Sequence, residues 1–177
     1  MRKPEPCLET ERLLIRNWEP DDWRLVQPMA SNPLVMQYIG HYHPWQEAET
    51  RQFVLNRIRD YEQYGWTMWP LLLKESGEFI GYCGYLRRRY GEYEGEVEIG
   101  YAINRSHWGQ GLTAEAGARI LDYGFETLGF DRVIASARQE NAASIRVIQK
   151  LGIMSIGDSP NYRAIPRPHY SIENPYH

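Results

Sequence analysis

Cysteine is nearly absent from this chain: Cys7 and Cys83 are the only two among 177 residues. Cys7 lies in an N-terminal stretch without pattern and Cys83 inside the apolar run FIGYCGYL, so a disulfide framework is excluded and a Cys-rich zinc site cannot be built. His41 and His43 have no further convergent ligands nearby and read as a polar loop before Pro44, so no metal is expected. No apolar run approaches the roughly 18 residues of a membrane span, and no signal-peptide core is visible; a reduced, cytoplasmic protein without a membrane partner is expected. A basic excess is missing too. Lys and Arg number 20 against 23 Asp and Glu, for a net charge of -3 and a pI near 6.0, which argues against a dedicated nucleic-acid binder. The triplet Arg87, Arg88, Arg89 therefore reads as the solvated end of a hairpin strand.

What is present suits one domain over residues 1–177, long enough to bury about 70% of the unfolded chain's surface. Residues 1–7 read as a frayed leader and 160–177, rich in Pro and Tyr, as a final hairpin and tail. RLLIR alternates as a first strand, and Pro20, Asp21 and Asp22 open a helix with acids where its dipole favours them. A second helix begins near Gln46 to Thr50, carries Phe53, Val54, Ile58 and Tyr61 on one stripe, and stops at Gly65. A hairpin follows, turning at Ser76 and Gly77, with Pro70 marking a bulge or an edge. Another turns between Gly91 and Gly95.

The densest information lies in VEIGYAINRSHWGQGLTAEAGARILDYGFETLGF, residues 97–130. Period-two alternation places Val97, Ile99, Tyr101 and Ile103 on one face of a strand and Glu96, Glu98, Gly100 and Ala102 on the other. The second face carries a carboxylate and two very small positions, the pattern expected where a ligand packs closely. Gly109 and Gly111 then bracket a turn that opens an amphipathic helix. The first N–H groups of a helix lack intrahelical partners and sit at its positive end, so main chain alone can hold a phosphate there. Trp108, just before the glycines, reads as a packing wedge. The helix is expected to bury Ala114, Ala118, Leu121, Phe125 and Leu128 and to pair Glu115 with Arg119 on its wet side.

Three phosphate-binding patterns compete for these residues. A P-loop requires Gly-Lys-Ser/Thr, and Gly111 is followed by Leu112 and Thr113, which fails. The dinucleotide pattern is formally met by Gly109, Gly111 and Ala114. Against it, Asn104 to Trp108 separate strand from glycines, and Asp131 falls before the next strand instead of after it. The third is a phosphopantetheine site. EIGYAINRSHWGQGLTAEA, followed later by ENAASIRVIQKLGI, resembles the cofactor motif and following segment of the GNAT superfamily of N-acetyltransferases, over roughly residues 8–156. ETERLLIRNWEPDD and WGQGLTAEA resemble its ribosomal-protein-acetylating, RimJ/RimL-like branch.

That resemblance implies an α+β, GNAT-like acyl-CoA N-acyltransferase fold: a mixed, mostly antiparallel sheet with flanking helices, whose strands ending near Ile103 and Arg138 start adjacent and splay apart around the pantetheine. It implies acetyl-CoA as co-substrate, with contacts from Tyr101, Ala102, Ile103, Gly109, Gln110, Gly111, Leu112, Thr113 and Asn141. Direct attack of an amine in a ternary complex follows, with a protein N-terminal α-amine favoured over a small amine or an amino-sugar antibiotic. A non-catalytic acyl-CoA-binding module is the rival from another class. Acceptor, oligomeric state (monomer or homodimer) and regulation stay open in the sequence.

The chemistry needs a neutral amine, a polarised carbonyl and a protonated leaving thiolate. An α-amine with pKa near 8 is roughly a tenth neutral at pH 7 and a lysine far less, so a base helps. Glu98 is the candidate base, with burial expected to raise its pKa; its bland alternative is a surface glutamate paired with an arginine of a neighbouring strand. Backbone N–H near Tyr101 would polarise the carbonyl. Many relatives carry a leaving-group tyrosine where this chain has Ile148, so the acid is sought at Ser144, with Tyr162 and Tyr170 behind it. Ser144 and Asn141 can equally serve only the first turn of a helix. Trp18, Trp45, Trp66 and Trp69 can line an acceptor groove or fill core.

Overall fold

Pro20 fixes φ where a helical turn begins, and the computed structural model shows the short 3-10 turn Pro20–Asp22 running into α1 (Trp23–Ala30). The structure describes residues 8–89, 91–160 and 166–176; the leader, Cys7 and Tyr162 lie outside them. A one-turn helix, α2 (Pro33–Met36), capped by Asn32, follows. Then comes α3 (Glu47–Tyr64), opened by a Gln46/Glu49 capping box and stopped by Gly65 at φ 83°. Upstream of these helices β1 (Leu8–Glu9) and β2 (Leu13–Ile15) form a small hairpin.

The sheet continues as β3 (Met68–Leu73), β4 (Phe79–Arg87) and β5 (Val97–Ile103), turning at Gly77 and between Gly91 and Gly95 as expected. Pro70 sits beyond the end of the β2 ladder, which stops at Leu71, so its missing N–H costs no bond on that side. The β-bulge comes one residue later, between Leu71 and Leu72. After a 3-10 turn (Arg105–His107), α4 (Leu112–Glu126) crosses over to β6 (Arg132–Ser136), and α5 (Ala142–Lys150) leads to β7 (Met154–Pro160) and β8 (Pro166–Glu173). The final hairpin thus begins at Met154, earlier than composition suggested, and it folds back so that β8 lies between β6 and β7.

Among the described residues the eight strands run in the order β1-β2-β3-β4-β5-β6-β8-β7. Every neighbouring pair is antiparallel except β5 and β6, which are parallel and share one registered pair, Glu98 opposite Ile134. This is the splayed central pair. Helices cover both faces. On one, α4 and α5 pack over Trp69, Tyr85, Ile99 and Val133; on the other, α1 to α3 pack over Met68, Tyr82 and Ala102. Side chains such as Ile120 and Val26, fully withdrawn from water, each contribute about 1.5–3 kcal/mol of hydrophobic stabilisation.

The buried stripe of α4 is rotated from the expected one. Ala116 and Ile120 are fully buried beside Ala114, Leu121 and Phe125, whereas Ala118 faces solvent. The rotation follows from small residues: a Cβ at Gly124 would stand 2.1 Å from the Tyr85 hydroxyl, which donates to the Ile120 carbonyl at 2.6 Å. Only glycine allows that approach. Glu115 does not turn to Arg119. It accepts from Thr10 Oγ1 at 2.5 Å and pairs with Arg12 at 2.6 Å, tying the first turn of α4 to the β1–β2 hairpin.

Candidate active site

The splay opens from the Glu98–Ile134 pair towards the C-terminal ends of β5 and β6. From Ile99 to Ile103, β5 is paired with β4 on one edge and, among the described residues, has no ladder partner on the other. At the open end, Gly109 and Gly111 adopt left-handed φ of 74° and 77°, and Gly111 is the N-cap of α4. Added Cβ atoms would meet nothing within 4 Å at Gly109 and, at Gly111, only the ends of Arg12 (3.8 Å) and Lys150 (4.0 Å). The turn is therefore a bare backbone cradle with two cations at its lip. Gln110 folds back so that its side-chain amide donates to the Ser106 carbonyl at 3.1 Å. Leu112 is buried and Thr113 half-buried in the first turn of α4. Trp108 is not a wedge: it is 45% exposed and held by an indole bond to the Ile103 carbonyl at 2.9 Å.

At the closed end, Glu98 is buried, not a surface residue. Arg88 Nη1 donates to Oε2 at 3.1 Å and Ser136 Oγ to Oε1 at 2.6 Å. Arg88 itself is 2% exposed, which overturns the solvated reading of that arginine, although Arg87 and Arg89 do face water. Alternation explains it: Leu86 stands opposite Glu98, so the second residue after Leu86 turns to the same face. Gly100 is small for a different reason from the one expected. Leu86 Cδ2 and Met68 Sδ would lie 2.8 and 3.1 Å from a Cβ there, so protein side chains, not a ligand, take the space; Ala102 is buried in the same cluster.

Two residues on β8 join this end without any signal in the local sequence. His169, fully buried and paired in register with Ser136, donates Nδ1–H to the Arg167 carbonyl at 2.7 Å. Its Nε2 is buried and has no hydrogen-bond partner among the described residues. Burial, with the nearby Arg88 and Arg167 charges, pushes this imidazole below its usual value, against the Arg167 hydrogen bond and the Glu98 charge. Tyr93 lies against the ring, tilted by 35° with centroids 5.1 Å apart, and Arg167 reaches the Tyr42 hydroxyl at 3.1 Å. Only the pairing of β6 with β8 brings them here.

Between the two ends, the Tyr101 hydroxyl lies 3.0 Å from Ser144 Oγ and donates to the Ser144 carbonyl at 3.1 Å. Burial, above all, raises the Tyr101 pKa well beyond the ordinary phenol range, so it stays a protonated donor. Asn141 caps α5, its Oδ1 accepting from Ser144 N at 3.2 Å. Ile148 is 1% exposed and fills core, so no polar group projects from that position. Tyr170 is also buried in the α4/α5 core.

The assembly of a β5–β6 splay, a glycine cradle at the start of α4 and a capped α5 is matched in known proteins. Residues 12–154 match the Acetyltransferase (GNAT) domain. The chain belongs to that family. An uncharacterized N-acetyltransferase, p20 of Bacillus licheniformis, is 32% identical over 151 residues, covering 85% of this chain and 83% of its own. The uncharacterized protein YkkB of Bacillus subtilis is 35% identical over 147 residues, or 82% and 84% of the two chains. A solved GNAT-family acetyltransferase from Bacillus anthracis superposes with a TM-score of 0.80 at 29% identity over 94% of this chain and 98% of its own. This chain is accordingly an N-acetyltransferase of GNAT type with the GNAT fold. Among the described residues there is no His, Cys, Asp and Glu group that could hold a metal, and no helix is long and apolar enough to cross a membrane.

Proposed function

We propose that this acetyltransferase uses acetyl-CoA to acetylate an amine by direct attack in a ternary complex, with a protein N-terminal α-amine as the acceptor. The observation that carries the reading is the open edge of β5, which runs from an anion cradle at Gly109 to Gly111 down to a buried carboxylate at Glu98. The ribosomal L7/L12 alpha-N-protein acetyltransferase RimL, solved with coenzyme A, shares the fold at a TM-score of 0.75 and 16% identity, a likeness of architecture.

Acetyl-CoA supplies the activated acetyl thioester, and the chain supplies position and protons. N–H groups of Gly111, Leu112 and Thr113, with Arg12 and Lys150 beside them, suit a pyrophosphate. The β5 backbone around Tyr101 to Ile103, without a ladder partner on that edge among the described residues, suits the pantetheine amides and the thioester carbonyl, and Asn141, the N-cap of α5, suits a further contact. Glu98 uses two of its roughly four lone-pair sites on Arg88 and Ser136, so others remain to take a proton from the amine as the N–C bond forms. The Tyr101–Ser144 hydroxyl pair is the proton source for the thiolate as the C–S bond breaks. A second reading of the base rests on His169, whose neutral Nε2 holds an unshared lone pair at the same end of the site.

Thiol release from acetyl-CoA, measured across a panel of peptide N termini, polyamines and aminoglycosides, tests the proposal. Turnover with peptides at least tenfold above the other classes is expected. Efficient turnover of a polyamine or aminoglycoside, with none of any peptide, would refute the acceptor assignment, and binding without turnover of any amine would favour the non-catalytic module.

A further inference from the structure

Glu98 also forms part of the wall of a cavity of about 150 Å3 on the face of the sheet covered by α3. Taking about 30 Å3 per water in the liquid, this is room for about five waters, or one small residue. One side is the stacked pair Tyr64 and Trp66, with ring centroids 5.2 Å apart. The remaining lining is dominated by arginine. Arg57 pairs with Asp60 at 2.7 Å, yet its Nε is buried with no hydrogen-bond partner among the described residues. Arg89 reaches the same Asp60 at 3.9 Å and Arg88 is held by Glu98, whereas Arg87 stands opposite Val97 and turns to the other face of the sheet. Three guanidiniums thus face two carboxylates in a chain whose net charge is -3, a local reversal of sign. The loosely held charge is on the rim, where Arg89 reaches solvent, while Arg57 and Arg88 are paired further in.

We propose that the cavity receives the first residue of a peptide acceptor, its amine directed at Glu98, and that Arg89 selects peptides with Asp or Glu at the second or third position. The inference rests on the peptide acceptor proposed above. Volume places the anion outside: one small residue fills the cavity, so the acidic group falls at the rim, where Arg89 is. An amine and a carboxylate on one small molecule would need both groups inside. An exposed ion pair is individually weak, so it gives about a threefold preference at low salt, one that screening removes as the Debye length falls towards 3 Å near 1 M.

The test compares kcat/KM for three peptides with the same N-terminal serine, followed by Asp-Glu, Ala-Ala or Lys-Lys, at saturating acetyl-CoA. The acidic peptide is expected about threefold above the neutral one at about 25 mM salt, with the basic peptide lowest. The gap should close almost completely near 1 M salt and in Arg89→Gln, while Arg89→Lys keeps most of it. Equal rates for the three peptides in the unaltered protein, or a preference that survives in Arg89→Gln, would overturn the rim assignment and leave the peptide acceptor standing. Turnover of amines such as spermidine with none of the three peptides would overturn both.

Discussion

Replacing Arg88 by Met separates the structural and chemical parts of the Glu98 site. The guanidinium is 2% exposed and donates to a carboxylate that is itself 8% exposed, so removing it leaves a buried negative charge supported by Ser136 Oγ. Breaking one partner of a buried pair costs about 3–5 kcal/mol, of the same order as a third of a typical domain's stability. In a chain of this length that lowers Tm by roughly 6–20 °C. Glu98→Gln removes the opposite charge and one of the two acceptor oxygens: its amide oxygen can accept from Arg88 while its NH2 donates to Ser136 Oγ, but the Arg88 charge stays buried, so it too should cost stability. Its main effect should be on turnover, with kcat at pH 7 down by about 100-fold or more and acetyl-CoA affinity nearly unchanged. The turnover defect should shrink at high pH, where more acceptor amine is already neutral. The double variant Arg88→Met/Glu98→Gln, with no net charge left in the pair, should recover much of the stability lost in Arg88→Met and none of the turnover. Urea unfolding without ligand, read beside thiol release, measures all three. An Arg88→Met loss below about 1 kcal/mol would mean that the pair is screened by solvent. Near-normal kcat in Glu98→Gln would pass the base to another group, with His169 first in line.

Gly111→Val should abolish the acetyl-CoA-dependent rise in Tm that the unaltered protein shows, and should also cost the unliganded protein about 1–3 kcal/mol, because valine is strained at φ 77°; an undiminished ligand shift, followed by thermal melting, would remove the cradle argument. Tyr101→Phe should reduce kcat while leaving acetyl-CoA affinity within about twofold, and Ser144→Ala should do the same more weakly; unaltered kcat in both, beside a large loss in Tyr162→Phe or Tyr170→Phe, would move the acid to the C-terminal segment. His169 has its pKa lowered in the folded protein, so the unfolded chain binds the proton more readily; the associated stability is complete above about pH 6.5 and is lost as pH falls from there through the folded value. Urea midpoints at pH 7.5 and 5 should therefore converge in His169→Gln relative to the unaltered protein. Glu115, whose desolvation would raise it but is outweighed by the hydrogen bonds from Thr10 and Arg12 and the charge of Arg12, is held below the ordinary carboxylate value and acts outside that window. Equal convergence in both proteins would show that His169 is not the group responsible.

The element order and the cradle were legible because they depend on local chemistry. Gly65, Gly77, Gly109 and Gly111 all take the left-handed φ that their turns demand, and Asn141 caps its helix as its position suggests. Readings failed where a partner distant in the chain decides the outcome. Arg88 looks like its two neighbours until Glu98 is placed opposite Leu86, and Glu115 looks like a partner for Arg119 until the β1–β2 turn delivers Arg12. Gly100 looked like room for a ligand because Leu86 and Met68, from two other strands, cannot be placed over it by periodicity alone. His169 carries no local mark of a site; its place depends on the return of β8 past β7 to the edge of β6.

The single ladder pair between β5 and β6 has a consequence for how this molecule can be divided. On one side lie five strands, each paired with the next in chain order; on the other lie β6, β8 and β7, and the backbone bonding that joins the two sets passes through Glu98 and Ile134. Most of the cohesion across that seam comes from side chains under α4 and α5, not from the ladder. The exposed turn at Gly129, φ 68°, lies on the crossover between the two sets. A chain cut there is expected to yield two fragments that reassemble by burying apolar surface, with native-like activity returning on mixing. The seam that opens the sheet is also the line along which the protein can be taken apart and put back together.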